Sequence, residues 1–217
     1  TAPDARVSAS CPDILVIVTY NIEHGEALEA ALADLRSLVP GCADLVLLQE
    51  MGPEGTAWLA GQLGCGYVYS PASIHPGHDH PVGNAVLSRW PIMAHRVVVL
   101  PYRSPVYGFR RVAVAAALDV AGRHVRAISI HTGSAVLPQE RRLEQLQAAV
   151  DSLVAGWEGA VVLGGDFNTS TPSDRFRFHR VLRAAGLRAL PAPAPTVRWQ
   201  PARLWRLGEV LDHVYVR

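Results

Sequence analysis

The sequence predicts an α/β fold in which two mixed sheets pack face to face with helices outside them. Three observations carry this expectation. Short apolar, β-branched segments alternate with segments of helical period near both ends of the chain. The middle is a run of consecutive strands punctuated by Gly and Pro, which argues for antiparallel pairing there. Polar residues gather where apolar strands stop, the edge at which open α/β sheets bind ligands. At 217 residues the chain suits one well-buried domain, expected to span 1–217 with residues 1–12 as a flexible lead.

The elements follow in order. Ile14–Tyr20 is β-branched and bounded by Pro12 and Asn21, so it reads as a buried strand. Glu26–Leu38 places Ala27, Leu28, Ala31, Leu32, Leu35 and Leu38 at helical spacing, and Pro40-Gly41 stops it. Asp44–Gln49 is a second buried strand, with Glu50 at its carboxyl end. A helix over Glu54–Leu63 precedes strands at Gly66–Ser70, Gly83–Ser88, Ile92–Leu100, Phe109–Val120 and His124–His131. Pro138–Val154 is amphipathic, with Leu143, Leu146, Ala149, Val150 and Leu153 on one face. Ala160–Gly165 is a strand leading to Asp166, Asp174–Ala185 a helix, Pro191–Pro195 a rigid loop and Val210–Val216 the last strand.

Composition narrows the function. Apolar residues make up 49% and charged residues 18%, enough for a core and unlike a disordered chain. The net charge of +1 provides no overall basic field of the kind that holds a protein on nucleic acid. Every basic residue is Arg and none is Lys, which reads as codon bias from a GC-rich genome. Local clusters occur at Arg110–Arg111, Arg141–Arg142 and Arg175–Arg183, and the last two read as solvated helix faces. No apolar run is long enough to span a bilayer. The polar lead that begins with Thr reads either as a mature end after signal cleavage or as a mere chain boundary, so secreted and cytoplasmic locations both stay open. Cys11, Cys42 and Cys65 lack the spacing of a zinc site, and a disulfide between two of them or buried thiols are equal readings.

Seven strand-end residues carry the chemistry: Asn21, Glu50, His131, Asp166, Asn168, Asp212 and His213. Any one of them alone is ordinary turn chemistry, since Asp and Asn often end strands. Their recurrence at the ends of five separate strands is not. Carboxylates and carboxamides without a nearby cysteine form a hard oxygen donor set, which favours Mg²⁺, with Mn²⁺ or Ca²⁺ as alternatives, over zinc. Two histidines beside such a set suit phosphoryl transfer, one activating water or holding the scissile phosphate and the other steadying negative charge.

The segments TYNIEHG (19–25), DLVLLQE (44–50), GNAVLSRWPI (83–92), ISIHTGS (128–134), LGGDFNTS (163–170) and LDHVYVR (211–217) resemble, in order, the motifs of the endonuclease/exonuclease/phosphatase family. The resemblance implies a four-layer α/β sandwich and hydrolysis of a phosphodiester or phosphomonoester by in-line attack of water. It implies Glu50 as the principal metal ligand with Asn21 and Asp212 beside it. Asp166 then resembles the residue that orients or deprotonates the water, Asn168 one that steadies the phosphate, and His131 and His213 the pair that contacts its oxygens. Arg111 looks like an Arg able to grip a phosphate oxygen, with Arg110 pointing to the opposite face. Asn84 sits where some members carry a polar partner for the first histidine, so its amide is expected to fix the His131 tautomer.

The chain also departs from the family. Many members carry an Asp before the last motif that orients the final histidine, whereas PTVRW (195–199) holds no carboxylate. Asp174, Glu209 or a backbone carbonyl is therefore expected to support His213. Little sequence remains for the long loops with which abasic-site nucleases grip DNA. The substrate stays a phosphate ester of nucleic acid, lipid headgroup or small molecule, and the chain is expected to act as a monomer. A nonspecific DNA or RNA endonuclease of the same fold is one alternative, and a catalytically silent binding module another. SIHPGHDHPVG (73–83) reads as a polar substrate-facing loop or a transition-metal site, and Glu23 and His24 as the rim of the site. Trp199 and Trp205 fall on an expected loop from which they would meet substrate.

Overall fold

The computed structural model of the chain describes residues 14–74, 80–191, 197–202, 205–209 and 211–217, with only the backbone for 197–202 and 205–209. The expected lead with Cys11, residues 75–79 of the His-rich segment, residues 192–196, and the side chains of Trp199, Trp205 and Glu209 lie outside the described residues.

In chain order the elements are β1 (Ile17–Asn21), α1 (Leu28–Leu38), β2 (Leu45–Met51), α2 (Pro53–Leu63), β3 (Gly66–Ile74), β4 (Pro81–Ser88), β5 (Ile92–Val99), β6 (Val112–Val120) and β7 (Arg123–His131). They continue with α3 (Gln139–Leu153), β8 (Ala160–Asp166), α4 (Pro172–Ala184), β9 (Arg188–Ala189), β10 (Val197–Ala202), β11 (Trp205–Glu209) and β12 (Asp212–Val216). One sheet has the order β1-β2-β4-β3 and the other β5-β6-β7-β8-β12-β9. Each is mixed, with parallel pairs at β1/β2 and β7/β8.

The layers follow from alternation along the strands. Leu45 and Leu47 of β2 meet Val114, Ala116, Ala127 and Val162 of the second sheet in a core shared by the two inner faces. Val46 and Leu48 point the other way, against Leu32 and Leu35 of α1 and Leu59 of α2. The outer face of the second sheet, with Ile128, Ile130 and Leu163, packs against Leu146 and Leu153 of α3 and Phe178 and Leu182 of α4. The result is the expected four-layer α/β sandwich.

Four sequence expectations change. Glu50 is not past the second strand but inside it, at a bulge where the β2/β4 register shifts between Leu48 and Met51. The strand expected from Phe109 starts at Val112, because Ser104 to Phe109 closes its own turn through Ser104 N–H to the Phe109 carbonyl (2.8 Å) and Gly108 N–H to the Ser104 carbonyl (2.9 Å). The first helix starts at Leu28, after a 3₁₀ turn at Glu23–Gly25. The loop expected around residues 199–205 is instead an antiparallel hairpin of β10 and β11.

Two local features fix the frame. An added Cβ at Gly165 (φ 151°) would run into the Ile130 carbonyl of β7, so only glycine lets β8 lie this close beside β7. Cys42, just before β2, is bridged to Cys65, just after α2, closing a loop 23 residues apart in sequence. Replacing both cysteines with Ser should lower unfolding free energy by about 3 kcal/mol, the scale for a loop of that length, as read by urea titration.

Candidate active site at the shared edge of two sheets

The described site residues lie at one edge of the sandwich because parallel pairs bring strand ends side by side. Asn21 pairs with Gln49 at the end of β1, and His131 pairs with Asp166 at the ends of β7 and β8. Asp212 opens the antiparallel β12 directly opposite Asp166.

Glu50 reaches this edge through strain. In regular alternation it would share the face of Val46 and Leu48 and point into the helix layer. Its φ of 58° is in the left-handed region, costly for a non-glycine residue, and the bulge lets Met51 take the helix-facing place. The carboxylate turns instead to Arg111 Nη1 and His131 Nδ1, each 3.7 Å from Oε1, and to His24 Nδ1, 3.5 Å from Oε2. His24 (φ 62°) and Asn168 (φ 51°) are also left-handed, so backbone strain collects around the cluster.

Asp166 ties the two sheets together. It accepts from Asn21 Nδ2 (3.0 Å) and from the Asn168 backbone N–H (2.8 Å), and its Oδ2 lies 3.6 Å from His131 Nε2. Burial pushes its carboxyl above the usual range, although hydrogen bonds from Asn168 and Asn21 and the charge of Arg111 work against that rise. His131, 2% exposed, is held well below the usual histidine value, first by burial and then by Arg111 and His24, so it is a neutral imidazole near pH 7. Arg111 Nη1 lies 3.3 Å from His131 Nδ1, and burial lowers the guanidinium's affinity for its proton against the pull of Glu50 and Asp166.

Asn21, Glu50, Arg111, His131 and Asp166 therefore form one connected network, with Asn168 attached through its backbone. Asn84 departs from expectation. Its Nδ2 donates to the carbonyls of Val112 (2.9 Å) and Ser129 (3.4 Å), so the amide crosslinks the sheets while the His131 ring faces Arg111, Glu50 and Asp166. His213 shares the face of Tyr215, with its ring against Phe167 (5.8 Å) and its Nε2 2.9 Å from Thr169 Oγ1. Asp174, a suggested support for it, is engaged with Arg142 and Thr171, the Glu209 side chain lies outside the described residues, and Thr169 is a partner that sequence reasoning missed. Its position three residues after Asp166, in the same loop, was the available signal.

Arg142 also corrects the sequence reading. It is 4% exposed rather than solvated. Its guanidinium donates to the Leu137 carbonyl (3.1 Å), the Asn168 carbonyl (2.7 Å) and Asp174 Oδ1 (2.9 Å). Arg142, Leu146, Ala149 and Leu153 fall on one helix face, and charge alone hid that Arg142 belongs to it. Asp174 in turn closes the capping box of α4 with Thr171.

A metal fits this donor set in kind. Among the described residues no three His, Cys, Asp or Glu side chains converge as a metal cage. Mg²⁺ does not ask for one, since it takes one or two carboxylates and completes its shell with waters and phosphate oxygens.

The family model described as endonuclease/exonuclease/phosphatase family matches residues 18–217. The chain belongs to that family. Among solved structures, a family protein from Leptotrichia buccalis superposes with a TM-score of 0.72 at 17% identity, covering 92% of this chain and 86% of that one. The mannosyl-6-phosphatase Bt3783 of Bacteroides thetaiotaomicron superposes at 0.66 and 16% identity, covering 94% and 85%. D. rerio TDP2, complexed with single-strand DNA product, does so at 0.67 and 14%, covering 93% and 82%. At these identities the likeness is one of fold. Among curated proteins none matches the chain in sequence.

The Arg142–Asp174 pair has a measurable consequence. Burial alone would raise the Asp174 carboxyl, but hydrogen bonds from Gln139 and Thr171 and the charge of Arg142 hold it below the usual range. A depressed carboxyl adds stability above its unfolded value and loses it as pH falls through its folded value. Asp174→Asn should cost about 3–5 kcal/mol at pH 7, the scale for breaking a buried pair, and should reduce the fall in stability below pH ~4. Urea titrations of both proteins across that pH range measure it.

Proposed function

We propose that this protein is a Mg²⁺-dependent phosphoesterase. The observation that carries the reading is the connected, largely buried network of Glu50, Arg111, His131, Asp166 and Asn21 at the edge where two sheets meet. Glu50 and Asp212, with the Asn21 carbonyl oxygen, are the groups that would hold the ion. Bound there, Mg²⁺ supplies positive charge to a phosphate oxygen and to the developing leaving group.

The chain's own groups do the rest. Arg111 remains cationic and offers its guanidinium to a phosphate oxygen, and neutral His131 adds a directed hydrogen bond. Asn168, in the loop after β8, steadies the phosphate. Asp166 accepts the proton of the attacking water: burial makes it more basic than an exposed carboxylate, and Asn21 and the Asn168 N–H fix its direction. The water oxygen bonds to phosphorus while the ester oxygen leaves. His213, held on its Nε2 side by Thr169, contacts a remaining oxygen. A near-neutral net charge favours small or lipid-linked esters over nonspecific nucleic-acid cleavage.

With bis(p-nitrophenyl) phosphate as probe, chelation should abolish turnover and Mg²⁺ restore it. Asp166→Asn should lower kcat by ~10²–10⁴-fold, the scale for losing a general base, in protein shown by urea titration to be folded, since the amide NH2 replaces one of the two oxygens that accept from Asn21 and Asn168. Near-wild-type turnover in that variant would refute the assignment. Thr169→Val should lower kcat on the order of tenfold, with KM nearly unchanged, if Thr169 orients His213.

A further inference from the structure

Beside the catalytic network lies a cavity of about 110 Å³, lined by Ser104, Tyr107, Phe109, Val136 and Gln145 and walled on one side by Arg111. Its two loops precede β6 and follow β7. Because those strands are antiparallel neighbours, with Ala113 opposite Ile130, both loops rise at the same edge as His131. Arg111 thus belongs to the cavity and to the site at once, its Nη1 3.3 Å from His131 Nδ1.

The lining mixes aromatic and apolar side chains with polar ones, and it is held in shape. Tyr107 stacks on Phe109 with centroids 5.2 Å apart and planes 15° from parallel. Tyr107 is 60% exposed and Val136 53% exposed, so both lining side chains leave surface open to solvent that a ligand could cover. Backbone bonds within Ser104–Phe109 close one loop. Gln145 pins both, accepting from Gly133 N–H (2.7 Å) and donating to the Pro101 carbonyl (2.8 Å). A cavity of ~150 Å³ accommodates a single benzene ring, so this one is of single-ring scale.

Resting on the phosphoesterase reading, we propose that the cavity is the subsite for a flat aromatic ring carried by the phosphate ester, which Arg111 bridges to the phosphate. A ring here gains the Tyr107–Phe109 stack and the Val136 contact while its phosphate meets Arg111 and His131. The preferred substrates are then small phosphoesters with a planar ring close to phosphorus, rather than esters of simple alkyl alcohols.

Calorimetric titration in Mg²⁺ with methylphosphonate and with benzylphosphonate tests this, since both carry the same phosphonate head and only one carries a ring. Wild-type protein should bind benzylphosphonate at least about tenfold more tightly, the scale of an apolar group in a fitted pocket. The ratio should fall towards one in both Tyr107→Ala and Val136→Trp, the first removing the stack and the second filling the cavity. Equal affinities in the wild type, or a ratio unchanged in both variants, overturn the subsite while leaving a phosphate-binding centre standing. Failure of both phosphonates to bind removes the phosphoesterase reading and the subsite with it.

Discussion

The site depends on the burial of two apolar sheet faces against each other. Leu45, Leu47, Val114, Ala116, Ala127 and Val162 form an apolar core between them, and burying each larger side chain contributes roughly 1.5–3 kcal/mol. That contact holds the ends of β1 and β2 over the ends of β7 and β8. Towards the site edge the inner faces carry polar side chains. Gln49 donates to Ser129 Oγ (3.0 Å), Ser129 donates to the Leu48 carbonyl (2.8 Å), and Asn84 crosses to Val112 and Ser129. Satisfied buried bonds of this kind set the register of one sheet on the other, and a register error would leave them unpaired.

One step beyond this polar seam sits the charged network, and its members share the same alternation. Ala127, Ser129 and His131 lie on the inner face of β7, as Val162, Gly164 and Asp166 do on β8. Gly164 and Gly165 leave room there: a Cβ on the first would lie 2.8 Å from Leu47 Cδ1, and on the second against the Ile130 carbonyl. Glu50 reaches the group only by breaking the strand's alternation, as a left-handed residue at a bulge. Strain of this kind persists only when the surroundings over-determine it, and here the β2/β4 ladder and the packing of Met51 do so.

Most of the fold was legible because strands buried on both faces read as continuous apolar runs and helices as 3.6-residue stripes. The connected members of the site were legible because each interrupts such a run. What escaped were features with no signature in composition. The bulge at Glu50 leaves the string LVLLQEM unchanged in appearance. Arg142 carries a charge and so read as surface, although its helix phase put it with Leu146 and Ala149. Thr169 carries no charge and lies in a polar loop, so nothing in composition marks it as a partner of His213. Asn84 was assigned by analogy to His131, whereas its inward phase on β4 and nearness to two carbonyls decide its partners.

Central to the proposed function is the reading that Glu50, turned out of the helix layer, holds a hard cation beside a phosphate. Calorimetric titration of Mg²⁺ into the wild type and Glu50→Gln, with and without inorganic phosphate, tests it most directly. The expected result is one saturable Mg²⁺ site in the wild type, tightened by phosphate and lost in Glu50→Gln. Absence of Mg²⁺ binding in the wild type, or equal binding in the variant, would contradict it.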